Sequence, residues 1–426
     1  MLIQNINIRD YIDKNRTILD LNRKKYGIFA IIIQFNLLKM VSIPRQLAPK
    51  IQKDCFKGKV ILLLGARQVG KSTLIKMLPF DSEIEVLWLD GENADVHLLL
   101  ENANSERLKQ IAGNHKVVVI DEAQKINTIG SVLKLFSDYH KEIQVIASGS
   151  SAFELRNSLN EPLTGRKFEF NLFPISFQEM VNHSNLLLEI RQLPKRLCYG
   201  YYPEIVTNSG TEERLLKFLS ESYLYKDIFL FKGIKKPEKI LELLKLLAWQ
   251  IGSEVNYNEL AKTLKIDNQT IESYVNMLEQ AFVIYKLPAF NTNQRKELKK
   301  SKKIYFNDLG IRNALINDFR PVEIRNDNGA LFENFIINEF RKQNEYQQVF
   351  ANFYFWRTTD QKEIDLVIKK NGLLHLFEIK WNPNKKAVLT KSFSNIYTNY
   401  TFDVINTTNF FEFVSADFLH TLVTNK

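Results

Sequence analysis

The stretch that most constrains this chain runs from Gly65 to Ser72, between an apolar run and a helical pattern. Its spacing fits G-x-x-x-x-G-K-[ST], the phosphate-binding loop. We predict that backbone N–H groups of this loop cradle the phosphates of ATP, helped by the positive end of the following helix. Lys71 is expected to reach the β- and γ-phosphates, and Ser72 to bind Mg²⁺. The predicted nucleotide-binding residues are Gly65, Ala66, Arg67, Gln68, Val69, Gly70, Lys71, Ser72 and Thr73.

Apolar strands alternate with helices around this loop, which predicts an α/β fold with a parallel sheet covered by helices on both faces. Strands are predicted at 60–64, 85–90, 116–122 and 143–150, and helices at 41–57, 95–111 and 129–141. A further strand is expected to lie between the strand of the loop and the strand that ends at residues 121–122. That additional strand favours a hydrolase over a nucleotide-holding switch.

Polar residues stand at the ends of two of these strands. Ligands of open α/β sheets bind at the carboxyl ends of the strands, so these residues are expected to meet the nucleotide. We predict that Asp121 holds the Mg²⁺ of ATP and that Glu122 polarises the attacking water as a catalytic residue. Ser150 or Ser148 is expected to sense the γ-phosphate by a hydrogen bond.

The composition of the 426 residues, 45% hydrophobic and 25% charged, is typical of a globular protein of two to four domains. A net charge of +10 favours partners that carry phosphates, such as nucleic acid. Two cysteines, Cys55 and Cys198, argue against a disulfide framework and a zinc cluster and predict a reducing compartment, the cytoplasm. No apolar run reaches the ~18 residues of a membrane span. Residues 1–40 are predicted to be an N-terminal extension, and translation from Met40 is the alternative.

Four short motifs together resemble an AAA-type ATPase family of bacteria and archaea whose members carry a C-terminal domain of uncharacterised function. The motifs are Gly65 to Ser72, Val119 to Gln124, Ser148 to Ser151, and Leu163 to Arg166. Tyr199 to Glu204 is similar to a glycine-glycine-aromatic-proline stretch of that family, with Tyr201 in place of the second glycine.

Arg166 stands in the last of these motifs. It fits a catalytic arginine finger that stabilises the transferring phosphoryl group, supplied in trans within a homo-oligomer. A surface arginine in a loop is the alternative.

The middle of the chain is predicted to be helical over 211–250, and two short helices over 258–280 precede a strand at 282–287. This order predicts a winged helix-turn-helix in which Asn268, Gln269 and Thr270 open the recognition helix. Such a module contacts DNA, or serves as an ATPase lid or protein contact, and both interpretations stay open. The basic run over 291–303 is either a solvated loop or a phosphate-contacting patch.

Two alternating strands at 363–370 and 373–380 flank Asn371-Gly372, which predicts a hairpin with a two-residue turn. If the last residue of one strand pairs with the first of the other, Asp365 lies opposite Glu378, with Lys380 on the same face. Two opposed carboxylates are destabilising unless something compensates, and a divalent cation would do so.

The pattern Asp-x(12)-Glu-x-Lys resembles the PD-(D/E)xK nuclease superfamily, although Ile364 replaces the proline. Glu333, on an upstream amphipathic helix, matches the acid that often completes such sites. The resemblance implies that Glu333, Asp365 and Glu378 hold Mg²⁺ and that Asp365, Glu378 and Lys380 act in catalysis. A relic of the fold, whose acids contact something else, is the alternative.

We therefore predict an N-terminal extension (1–40), an AAA-type ATPase core (41–185), a helical lid and winged-helix region (186–290) and a restriction-endonuclease-like α/β domain (291–426). The predicted function is Mg²⁺-dependent ATP hydrolysis coupled to nucleic-acid binding, with DNA cleavage by the last domain. The alternative is a regulatory, ATP-switched assembly protein whose C-terminal domain binds a partner without cutting.

Overall fold

The computed structural model describes residues 43–81, 83–150, 163–229, 236–291, 302–358, 360, 362–415 and 417–424, without the side chains of 222–229 and 424. The predicted extension at 1–40 and most of the basic run at 291–303 lie outside the described residues. From Arg45 onward the chain forms one unit by its internal contacts.

A five-stranded parallel sheet forms the first part of this unit. Its strands are β1 (Val60–Leu64), β2 (Val86–Asp90), β3 (Val117–Asp121), β4 (Gln144–Gly149) and β5 (Lys167–Asn171), in the order β2-β3-β4-β1-β5. Every residue of β1 and β4 is buried, as expected for strands covered on both faces. The predicted parallel α/β core is thus confirmed, and β4 is the predicted strand between β1 and β3.

The helices around this sheet are shorter than the sequence predicts. They are α1 (Ala48–Asp54), α2 (Lys71–Lys76), α3 (Ala94–Leu100), α4 (Ser105–Ala112) and α5 (Ile129–Tyr139). The single helix predicted at 95–111 is wrong, because Asn102 adopts a positive φ of 55° and Asn104 caps a new helix. The Asn104 side chain accepts a hydrogen bond from the N–H of Arg107 at 2.9 Å, which begins α4.

The middle part begins with five helices: α6 (Phe177–His183), α7 (Leu186–Tyr199), α8 (Pro203–Thr207), α9 (Glu212–Phe229) and α10 (Pro237–Trp249). The continuous helical pattern predicted over 211–250 is therefore two helices. Pro237 stands in the first turn of α10, a position where its missing N–H costs nothing.

A small antiparallel sheet follows these helices. The chain order is β6 (Glu254–Val255), α11 (Tyr257–Leu264), α12 (Asn268–Gln280), β7 (Ile284–Pro288) and β8 (Lys302–Phe306), with the strand order β6-β8-β7. Asp267 caps α12 by accepting from the N–H of Thr270 at 2.8 Å. Because β8 pairs with both β6 and β7, this sheet continues past residue 290, where the sequence predicts a domain boundary.

The last part places a long helix beside a four-stranded sheet. After α13 (Leu309–Leu315) come α14 (Asn328–Tyr346), β9 (Asn352–Arg357), β10 (Glu363–Lys370), β11 (Leu373–Lys380), α15 (Lys391–Ser394), β12 (Tyr400–Asn406), α16 (Phe410–Phe413) and α17 (Phe418–Thr424). The strand order is β12-β11-β10-β9, with β12 parallel to β11 and the other pairs antiparallel.

The hairpin of β10 and β11 has the predicted register, since Lys370 pairs with Leu373 and Leu366 with Phe377. Its turn residues Asn371 and Gly372 have φ values of 50° and 82°. Two successive positive φ values define the turn that matches the twist of paired strands. The hairpin prediction is confirmed.

Candidate functional site: the phosphate-binding loop and its partners

The phosphate-binding loop leaves β1 and enters α2 with a left-handed residue at the junction. Gly70 has φ 97°, which a side chain rarely tolerates. A Cβ on Gly65 would collide with the carbonyl oxygen of Leu172, so only glycine fits the start of the loop. The loop therefore has the two glycines that let its backbone curl around a phosphate.

Lys71 is buried at the first position of α2. Its ammonium donates to the carbonyl oxygens of Gly65 and Ala66 at 2.9 and 3.0 Å, across the mouth of the loop. Arg67, also in the loop, forms an ion pair with Glu92 at 3.0 Å, while Thr73 is exposed on α2. The lysine is thus held where a phosphate bound by the loop would lie.

Ser72 and Asp121 are brought together from two elements. The Ser72 hydroxyl donates to Oδ2 of Asp121 at 2.6 Å, and the Ser148 hydroxyl donates to Oδ1 of the same carboxylate. Because β1, β3 and β4 are parallel neighbours, their carboxyl ends lie at one edge of the sheet. A hydroxyl and a carboxylate are the hard oxygen donors that Mg²⁺ prefers, so this pair fits the metal of a nucleotide complex.

Glu122 leaves β3 in a left-handed conformation with φ 47°. Its carboxylate accepts from the Gln124 side-chain amide at 2.6 Å and from the Ser150 hydroxyl at 3.3 Å. Gln124 also donates to Ser150 at 3.0 Å, so the three side chains form one network. The motif contains Gln124, but sequence reasoning gave it no role, since its contact with Glu122 depends on the turn after the strand.

Arg45 is a buried residue that sequence reasoning missed. Its guanidinium donates to Glu179 at 3.1 Å, to the carbonyl oxygen of Val69 at 2.9 Å and to that of Phe173 at 2.5 Å. It also donates to the Tyr346 hydroxyl at 3.4 Å. Arg45 therefore joins the phosphate-binding loop to α6 and to the last residue of α14.

Three more side chains of α14 contact the last residue of β5 and the segment that follows it. The contacts are Glu345 with the N–H of Asn171, Glu339 with the N–H of Phe177, both at 2.9 Å, and Lys342 with the carbonyl oxygen of Ile175 at 2.9 Å. The C-terminal part is thus attached by hydrogen bonds to the part that carries the loop.

Arg166 lies just before β5 and forms an ion pair with Asp138 of α5 at 2.5 Å. The N–H of Val60, the first residue of β1, donates to its carbonyl oxygen. Arg166 is therefore at the amino end of β1, about 13 Å of strand away from the loop at the carboxyl end. Within one chain it is not part of the nucleotide site.

The acidic residues predicted in the C-terminal part do come close together. Lys380 forms ion pairs with Asp365 at 3.0 Å and with Glu378 at 2.5 Å. Glu333 accepts from Tyr305 at 2.5 Å. Burial raises the pKa of Glu378 to about 7, and the nearby Asp365 adds to this effect.

Lys303 of β8 also reaches this cluster. It forms ion pairs with Glu333, at 3.0 Å, and with Glu363. Burial alone would lower the pKa of Lys303, but these carboxylates raise it, so the side chain stays charged. Over the part of the chain that the structure describes, no group of three His, Cys, Asp or Glu is arranged to hold a metal ion.

Three family models match successive segments of the chain. Residues 57–181 match a model described as "AAA domain". Residues 190–321 match "Domain of unknown function (DUF8612)", and residues 328–413 match "Domain of unknown function (DUF4143)". The first match contains the loop, Asp121 and Glu122, and it supports a place for the chain among AAA-type, ATP-binding ATPases.

Relatives from distant organisms share most of the length. A Haemophilus influenzae protein is 25% identical over 388 residues, covering 85% of this chain and 92% of its own length. A Mycobacterium tuberculosis protein is 25% identical over 343 residues, covering 79% and 73% respectively. A Methanocaldococcus jannaschii protein is 26% identical over 299 residues, covering 61% and 63%. All three are described only as uncharacterized proteins.

Two solved structures show a low similarity to this chain. The Walker-type ATPase of Pyrococcus abyssi aligns with a TM-score of 0.44 and 14% identity, over 65% of this chain and 96% of its own. A signal-transduction ATPase with a tetratricopeptide repeat sensor from Pyrococcus horikoshii aligns with a TM-score of 0.30 and 15% identity, over 73% and 48%. Separately, none of the described helices is both long and apolar enough to span a membrane.

Proposed function

We propose that this protein is an Mg²⁺-dependent ATPase. The observation that carries the proposal is the contact of Ser72 with Asp121 at 2.6 Å, beside a glycine loop whose lysine is buried at its mouth. In the proposed complex, the loop N–H groups and Lys71 bind the phosphates, and Ser72 and Asp121 hold the Mg²⁺. When bound there, the metal would supply positive charge that neutralises the charge developing on the phosphate oxygens.

Glu122 is the proposed residue that orients the attacking water. Its carboxylate lies one residue beyond Asp121, and Gln124 and Ser150 hold it by hydrogen bonds. The hydrogen bonds from Gln124 and Ser150 must break and be replaced by one from water before the carboxylate can accept a proton from that water. Gln124 and Ser150 would then be free to contact the γ-phosphate, which gives the site a physical link between nucleotide state and the position of the base.

Glu122→Gln is expected to bind ATP normally and to hydrolyse it about 100-fold more slowly, because an amide cannot take the proton from the attacking water. The measurements are phosphate release at saturating ATP and equilibrium binding of a fluorescent ATP analogue. The control is Glu101→Gln, the same substitution at an exposed glutamate just after α3. Normal turnover in Glu122→Gln would remove Glu122 from the proposed mechanism.

Arg166 is proposed to act on the nucleotide of a neighbouring subunit in a homo-oligomer. Its distance from its own loop and its partly exposed side chain support a role in trans. Turnover per subunit that rises with protein concentration would support this arrangement, and a constant value would count against it.

Nucleic-acid binding is proposed for the middle part. Among the described residues from α10 to β8, a helix, a short strand, two helices and two strands follow one another, an order that supports a winged helix. A groove of about 960 Å³ runs along α11 and along α12 as far as Met277, and three lysines line it together with Asp267, Asn268 and Thr270. The lysines are Lys236, Lys262 and Lys265. These cations suit contacts to a phosphate backbone.

The double substitution Lys262→Glu/Lys265→Glu is expected to weaken DNA binding at least tenfold and to flatten its salt dependence, because two phosphate contacts are lost. Fluorescence anisotropy with a labelled duplex at several salt concentrations measures both effects. The control is Lys217→Glu/Lys245→Glu, which changes the net charge by the same amount at two exposed lysines outside the groove. Equal loss in both double variants would show that only net charge matters.

Of the two predicted roles for the C-terminal part, partner binding without cleavage is the better supported. Each of the three acids predicted to hold Mg²⁺ lies within ion-pair distance of a cation of the same chain: Glu333 pairs with Lys303, and Asp365 and Glu378 pair with Lys380. The two free cysteines, Cys55 and Cys198, accord with action in the cytoplasm, which we include in the proposal.

A further inference from the structure

The acidic cluster of the C-terminal part receives a cation from a neighbouring sheet. Lys303 belongs to β8, which pairs with β6 and β7 and not with the sheet of β9 to β12. Its side chain is only 3% exposed, and its ammonium lies between Glu333 of α14 and Glu363 of β10. The same ammonium lies 5.6 Å from the ring centre of Phe355.

Neighbouring residues fix the geometry of the ion pair between Lys303 and Glu333. Tyr305, two residues further along β8 and therefore on the same face, donates to Glu333 at 2.5 Å. Beyond β7, the N–H of Phe290 donates to the carbonyl oxygen of Phe355 at 2.6 Å, which ties the end of β7 to β9. Lys303 thus lies on a strand that pairs with β7, and the chain just after β7 is hydrogen-bonded to the C-terminal sheet.

Each carboxylate of the cluster lies within ion-pair distance of a cation of the same chain, without a metal. Glu333 and Glu363 pair with Lys303, Asp365 and Glu378 pair with Lys380, and Arg357 pairs with Glu363 and with Glu254 of β6. A divalent cation would have to share this space with two ammonium groups, and like charges at short distance in a partly buried site repel strongly. The residues present therefore do not fit a bound Mg²⁺ in this arrangement.

We propose that Lys303 takes the place of the metal ion that the nuclease-like pattern implies, so that the cluster is a closed ion-pair network between the middle and C-terminal parts. A divalent cation can then bind the carboxylates of Glu333, Glu363 and Asp365 only after Lys303 has been removed. The proposal concerns the C-terminal part and is independent of ATP hydrolysis.

The experiment compares Mn²⁺ binding by nucleotide-free, full-length proteins, using calorimetric titration and thermal unfolding with and without Mn²⁺. Asp365→Asn should bind Mn²⁺ as the wild type does, because the cluster of the wild type takes no metal. Lys303→Met should unfold at a lower temperature than the wild type, since its acids lose their cation. Its Mn²⁺ affinity should be at least tenfold higher than that of the wild type, and Mn²⁺ should restore its unfolding temperature.

Two further variants assign the effect to this cluster. Lys303→Arg keeps a cation and should behave as the wild type, while Lys303→Met/Asp365→Asn should lose the gained Mn²⁺ response. Mn²⁺ binding by the wild type that Asp365→Asn abolishes would overturn the proposal, and this comparison does not depend on the folding of Lys303→Met. A folded Lys303→Met protein with no gain in Mn²⁺ affinity would overturn it as well.

Discussion

Lys71→Ala is expected to lower ATP turnover by about a thousandfold, the largest change in activity that we predict for a single residue. Removing one preorganised group that stabilises transition-state charge costs about 100- to 1000-fold in the chemical step. Lys71 is also proposed to contribute to nucleotide binding, so the loss of turnover at subsaturating ATP is expected at the upper end of this range of about 100- to 1000-fold. Its ammonium, held by Gly65 and Ala66 at 2.9 and 3.0 Å, needs no large movement to meet a phosphate.

Steady-state phosphate release and titration with a fluorescent ATP analogue measure the two effects of Lys71→Ala separately. Lys76→Ala is the matched control, because Lys76 lies on the same helix but is exposed, with its ammonium 5.1 Å from the ring centre of Trp88. Turnover in Lys71→Ala within a few fold of the wild type would contradict the assignment of the phosphate-binding loop.

The parts of this site that the sequence predicts are those built by neighbours along the chain. The loop, the strand before it and the helix after it form one continuous segment, and Asp121 follows a run of four buried residues. The hairpin register also follows from local rules, because the two-residue turn at Asn371 leaves one pairing that matches strand twist. Each of these predictions needs only the alternation of side chains and the conformational preference of a few residues.

The parts that the sequence does not predict depend on contacts between distant segments. Arg45 is 134 residues from Glu179 and 301 from Tyr346, and neither spacing leaves a pattern in one sequence. Lys303 stands in a basic run that resembles a solvated loop, yet it is buried because β8 lies beside the C-terminal sheet. The cations that neutralise the acidic cluster could not be assigned before the packing was known.

Helix ends form an intermediate case. The break at Asn102 to Asn104 rests on residues that favour positive φ and helix caps, so the signal is present in the sequence. The apolar residues, however, recur with a helical period on both sides of this break. Judged by that period alone, the sequence predicts one continuous helix over 95–111.

Arg45 makes four hydrogen bonds, and the partners come from three segments that are distant from one another along the chain. Its side chain is 5% exposed and that of Glu179 is fully buried. Glu179 also accepts from its own N-cap residue Ser176 at 2.9 Å, so the pair lies at the start of α6. The Tyr346 hydroxyl accepts from the N–H of Phe173 at 3.1 Å, which adds the end of α14 to the same network.

Arg45→Met is expected to lower the free energy of unfolding by about 3–5 kcal/mol, because it leaves the buried carboxylate of Glu179 without its cation. It should also weaken ATP binding, since the carbonyl of Val69 in the loop loses its donor. Chemical unfolding of the full chain and nucleotide titration measure the two effects. Tyr346→Phe, which removes one hydroxyl, should cost only about 1 kcal/mol.

The control for Arg45→Met is Arg320→Met, which removes an ion pair with Asp318 from an arginine whose side chain is 64% exposed. Exposed pairs of this kind contribute little to stability, so Arg320→Met is expected to unfold at nearly the same denaturant concentration as the wild type. If the two methionine variants unfold at the same denaturant concentration, Arg45 contributes no more to the free energy of unfolding than the exposed Arg320 does. If Arg45→Met is destabilised but binds ATP as the wild type does, the arginine supports the packing of α14 without positioning the loop.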